Sequence, residues 1–170
     1  MQIESFVNKL DSVGEWSGRA AMGLIIPLAV IVVFEVISRR LFNSPHVWVP
    51  ELMSSFYGSH FMLVAAYALL HKDHVKVDVI YEYFSPRGRG VLDILSHLIF
   101  FFPFCIVLLV KGIDYAQTAW ILHERSQTAA MVGVIPVVKT VIPVTFALLL
   151  IQGFAQFIRS VILVTTGKTT

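Results

Sequence analysis

Long apolar stretches alternate with short polar ones along the chain, and the clearest stretch runs from Leu52 to Leu70. It carries no charge, and its polar positions are limited to Ser54, Ser55, Tyr57, Ser59, His60 and Tyr67. As a helix it is about 28 Å long, close to the hydrocarbon thickness of a bilayer. A surface helix of a soluble domain would show a continuous polar stripe, which this stretch lacks. It ends at His71-Lys72-Asp73-His74-Val75-Lys76-Val77-Asp78, too dense in charge to remain in lipid. The pattern predicts a membrane span pinned at one surface.

The same reading predicts spans near 16–42, 51–70, 90–121 and 137–164. Pro27 and Pro103 are placed to kink the first and third. Before the first span, residues 1–15 space Ile3, Phe6, Val7, Leu10 and Val13 three and four apart among Glu4, Lys9, Asp11 and Glu15. That spacing predicts an amphipathic interfacial segment. Residues 72–86 can place Val75, Val79, Ile80, Tyr83 and Phe84 on one face, predicting a second interfacial helix. The start is not positively biased and lacks a cleavage pattern, so an uncleaved chain is expected. The predicted fold is all-α: one integral membrane domain over 1–170, with four transmembrane helices and short interfacial amphipathic helices.

Composition supports this, with 56% apolar and only 14% charged residues; soluble domains are about a quarter charged. A net charge of +2, without basic stripes, gives no reason to expect nucleic acid. Cys105 lies alone in an apolar run, so the chain can hold no internal disulfide. Enzymatic motifs are absent from the sequence, and no enzymatic role is expected. The histidines form no ligand set of definite spacing, so no metal or cofactor is expected. With both termini on one side, that side holds eight Lys and Arg against five, placing the termini and the 72–86 loop in the cytoplasm.

Several separated motifs resemble one family. Arg39-Arg40-Leu41-Phe42-Asn43-Ser44-Pro45 is similar to its exit from span one, and Trp48 with Glu51 to its Trp-x-x-Glu entry to span two. Ala65-Ala66-Tyr67-Ala68-Leu69 leading to His74-Val75-Lys76-Val77-Asp78 resembles its most specific segment. Glu124-x-Ser126, Pro136, Lys139 and Pro143 resemble the third loop and the start of span four. The family is the small (DctQ-type, Q) membrane subunit of tripartite ATP-independent periplasmic, or TRAP, transporters. The resemblance departs at Pro50, where an acidic residue often stands, and in lacking a glycine near the end of span two.

The resemblance implies an accessory permease subunit in a bacterial inner membrane. It would brace a large transport subunit (M type) and help dock a periplasmic substrate-binding protein (P type) carrying organic acids, with phospholipids around it. Sodium is expected on the large partner, and no substrate-binding residue is expected in this chain. Structural or interface candidates are Glu35, Arg39, Arg40, Trp48, Glu51, Gly58, His74 and Asp78. Periplasmic docking candidates are Arg40, Glu51, Glu124 and Arg125. Charges at membrane depth are costly unless paired, so Glu35–Arg39 or Arg40–Glu51 pairs are expected. Ser54/Gly58 and Ser55/Ser59 permit close helix approach, within the chain or to a partner. The alternative is a small membrane anchor of a redox complex that binds haem or quinone, for which His60 and His97 would have to lie at similar depth.

Overall fold

A computed structural model describes residues 2–71, 86–125 and 134–166. They form α1 (Gln2–Met22), α2 (Ile25–Leu41), α3 (Val49–Leu70), α4 (Pro86–Ser96), a π-turn (His97–Phe101), α5 (Phe102–Ile121) and α6 (Val134–Thr166). The described residues hold no strand, and four helical stretches are long and apolar enough to cross a membrane: Val7–Leu41, Val49–Leu70, Gly88–Ile121 and Val134–Thr166. Every backbone polar group in hydrocarbon needs an internal partner, which helices supply. His74, Asp78 and the 72–86 segment lie outside the described residues.

The prolines set where helices break. Pro27 lacks an N–H, and its ring would meet the carbonyl of Gly23, four residues earlier. The chain turns at Gly23–Leu24 between α1 and α2, with Ile26 N–H bonding Gly23 O at 3.3 Å. The amphipathic stretch 1–15 has no boundary of its own: α1 continues through it into the first span. Pro103 follows the π-turn, where the Phe102 N–H bonds His97 O five residues back. The widened turn gives the proline ring room, and the helix runs on through it without a break. Pro143 lies inside α6, buried against Gly112, where a Cβ would approach the Pro143 ring to 3.4 Å.

α6 is the axis of the bundle and packs on α5, α3, α4 and α1, whereas α2 packs chiefly on α3. Small residues set the spacing. The Tyr67 ring covers Gly18, Phe101 covers Gly153, and Val164 lies over Gly90. At Gly58 nothing lies within 4 Å of where a Cβ would be, so this glycine makes no close approach inside the chain.

The seam between α1, α3 and α6 is polar. Gln152 is fully buried; its Nε2 donates to Asp11 Oδ1 at 3.0 Å. Arg159 pairs with the other Asp11 oxygen, and Gln156 donates to Leu69 O. These contacts clamp the outer half of α1 onto α6 and the end of α3. Higher in the bundle, His60 Nδ1 donates to Ala21 O at 2.8 Å, beside the α1–α2 break. Such interhelical bonds are worth about 0.6 kcal/mol each on average.

Candidate functional site

The end of the bundle away from the N-terminus carries most of the singled-out charges. α2 ends where Asn43 takes a left-handed backbone conformation (φ 49°), which asparagine tolerates. The chain then folds back, and Ser44 N–H donates to Ser38 O (3.2 Å) while Ser38 Oγ–H donates to Ser44 O (3.0 Å). This return brings His46 over α2. Glu35, six residues before the end of α2, gathers three donors: Arg39 Nη2 at 2.9 Å, the His46 N–H at 3.3 Å and His46 Nδ1 at 3.2 Å. Its side chain is 8% exposed, so the carboxylate is held by partners rather than by water. Phe34, His46 and Trp48 stack beside it with centroids 5.2–6.3 Å apart. Trp48 immediately precedes α3, whose second residue is Pro50.

Of the two ion pairs expected here, Glu35–Arg39 forms. Glu51 instead turns one oxygen, Oε2, into a buried position with no hydrogen-bond partner. Arg40 is exposed. Glu51 and Arg39 border a crevice of about 620 Å³ between the loop and α3. A second crevice, of about 560 Å³ between α2 and α3, contains Arg39, Arg40 and Ser54.

A second pair at this end joins the end of α5 to α6. α5 closes in a Schellman arrangement: His123 is left-handed (φ 45°), and the Glu124 N–H reaches Ala119 O at 3.1 Å. That turn aims Glu124 at Lys139, and the two pair. Lys139 Nζ also sits 3.9 Å above the Tyr115 ring, and Trp120 Nε1 donates to Thr140 Oγ1 at 2.9 Å. Glu124 is therefore tied into the α5–α6 joint, while Arg125 beside it is exposed.

Sequence reasoning missed the polar seam. Asp11 reads as one solvent-facing charge of an amphipathic segment, yet it joins Gln152 and Arg159 across the fold. The available signal was the spacing of Gln152, Gln156 and Arg159, which puts three polar groups on one face of an otherwise apolar helix. Of the two histidines weighed for haem, His60 directs Nδ1 at Ala21 O on α1, and His97 directs Nδ1 at Asp93 O at 2.8 Å.

The outer faces stay apolar. Val33 on α2 and Phe104 on α5 are 56% and 62% exposed, with Ile26, Val30, Phe100 and Val107 similarly uncovered. A four-span bundle with an apolar exterior and charges tethered near its ends defines a multi-pass membrane protein. The chain matches the family model of tripartite ATP-independent periplasmic transporters, DctQ component, over residues 28–163, and it belongs to that family. It is also similar to the sialic acid TRAP transporter permease protein SiaT of Haemophilus influenzae (strain 86-028NP), 28% identical over 105 residues. That stretch covers 62% of this chain and 16% of the much longer relative. Family membership decides between the two readings of the sequence in favour of the transporter subunit.

Proposed function

We propose that this chain is the small accessory subunit of a sodium-coupled TRAP transporter for organic acids. The observation that carries the reading is the family match over most of the chain. The packing supports it: α2 and α5 leave broad apolar faces that suit a large membrane subunit and the surrounding phospholipids. Gly58 on α3 makes no internal close approach and, with the exposed Ser54 one turn before it, offers a further place for a partner helix to approach. The large subunit would carry substrate and sodium, and this chain would brace it against the bilayer. SiaT's printed name concerns sialic acid, itself an organic acid, which agrees with that substrate class.

The Lys/Arg balance supports cytoplasmic termini, an orientation that would put the Glu35 and Glu124 clusters at the periplasmic surface. There Arg40 and Arg125, both exposed, are the charges best placed to steer a periplasmic substrate-binding protein. The test is sodium-driven uptake in liposomes made with purified components. Uptake should require the large subunit and the binding protein as well as this chain. Transport of substrate by this chain alone would refute the accessory role.

A further inference from the structure

A groove of about 630 Å³ opens at the opposite end of the bundle, where α3 stops and α1 continues past it. Its wall includes Asp11, Glu15, Trp16, Arg19, Leu70 and His71. Leu70 is the last residue of α3, whose 22 residues make a rod of about 33 Å. A span of that length reaches from one headgroup layer to the other, so its end lies among lipid headgroups. Trp16 at the rim is 75% exposed, the position of an indole in an interfacial aromatic belt.

Two groups in the groove, His71 and Glu15, face each other across a gap. The Tyr67 ring lies against His71 with centroids 4.2 Å apart, and His71 Nδ1 donates to Tyr67 O at 3.1 Å. In a neutral ring the remaining nitrogen, Nε2, is an acceptor. It stands 3.8 Å from Glu15 Oε2, which is also an acceptor. That separation is too long for a direct hydrogen bond, yet one donor about 2.9 Å from both atoms fits the gap. Arg19 holds the other carboxylate oxygen through Nε at 3.1 Å, and its side chain is 73% exposed. The groove thus combines a paired acceptor site for a donor cation with an adjacent, outward guanidinium suited to an anion. Among the described residues no group of three or more His, Cys, Asp or Glu side chains that could hold a metal ion includes Glu15 and His71.

We propose that this groove binds the headgroup of an aminophospholipid. The primary ammonium bridges Glu15 and His71, and the phosphodiester two carbons away meets Arg19. Asp11 is already held by Gln152 and Arg159 and forms the fixed inner wall. A choline headgroup would fill the same space but has no N–H to give, so recognition rests on the ammonium protons.

The experiment uses the full chain in nanodiscs holding equal amounts of phosphatidylethanolamine, its N-methyl and N,N-dimethyl forms, and phosphatidylcholine with matched acyl chains. Lipids that remain bound after gentle extraction are counted by native mass spectrometry. Retention should fall stepwise with methylation, by about tenfold from ethanolamine to choline, the scale of a hydrogen bond to a charged group. Glu15→Ala and His71→Leu should flatten that series, while Arg40→Ala at the other end should leave it intact. Equal retention of all four lipids by the unaltered protein would overturn the proposal, and that arm needs no variant to fold. So would a methylation series unchanged in Glu15→Ala, or phosphatidylglycerol displacing phosphatidylethanolamine at equal concentration. In the complex with the large subunit, crosslinking of residue 16 to that subunit together with loss of the lipid would assign the groove to a protein contact instead.

Discussion

Two glycines show how one atom can decide the packing. At Gly18 a Cβ would run into the Cβ, Cγ and Cδ2 of Tyr67, atoms near the root of that side chain that cannot swing away. At Gly153 it would meet the far edge of the Phe101 ring, which can turn. Gly18→Ala should therefore lower thermal stability in detergent by about 1–3 kcal/mol, the usual cost of overpacking, and Gly153→Ala by less. The charges at the loop end separate in the same way. Glu124→Lys places a second cation against Lys139, so it should loosen the α5–α6 joint and lower the melting temperature. Arg40→Glu changes an exposed charge; it should leave melting alone and reduce uptake most at low salt, where steering is least screened. Equal melting temperatures for the two variants would show that the Glu124 pair contributes nothing to the joint.

At the scale of elements, the spans follow from hydrophobic length, and Pro27 and Pro103 both mark departures from a straight α-helix. Local periodicity cannot report a partner 148 residues away, which is why Asp11 reads as a surface charge and not as the counterion of Arg159. Gly58 carries the opposite lesson. Its small-residue spacing permits close packing, but the close approaches between helices inside this chain occur at Gly14, Gly18, Gly90, Gly112 and Gly153. Spacing names the residues able to sit at an interface; only the assembled bundle selects among them. Glu35–Arg39 was legible because a four-residue offset is a helix contact, whereas Arg40 and Glu51 required knowledge of how the loop returns. The break before Pro27 offers a direct check. In Pro27→Ala the new N–H can bond Gly23 O and extend α2 backwards. Hydrogen exchange at Leu24 to Leu28 should slow, and unchanged exchange would assign the break to Gly23 and not to the proline.

For the whole molecule, the arrangement divides labour between the two ends. One end ties the α2–α3 return with Glu35 and joins α5 to α6 with Glu124, and the other clamps α1 with Asp11. The Lys/Arg balance predicts that the end carrying the termini faces the cytoplasm, and labelling can test it. With Cys105 replaced, a cysteine at Lys168 should resist an impermeant thiol reagent in intact cells, while one at Ser44 should react. Strong labelling at Lys168 would invert the orientation, and with it the face offered to a periplasmic partner.

The π-turn at His97–Phe101 has a consequence for how the third span can change over time. It amounts to one residue more than an α-helix needs, and that residue turns everything after it by about 100°. α4 meets the late part of α6 through Gly90, whereas α5 meets its early part through Gly112. Both contacts depend on the phase offset that the extra residue supplies. Removing one of Leu98, Ile99 or Phe100 would restore an ordinary helix, but it would rotate one contact away from α6 and return the Pro103 ring to the path of a carbonyl. The third span therefore tolerates exchanges of side chain along its outer face far more readily than a change in its length, and a single-residue deletion there needs both a new proline position and a repacked α6.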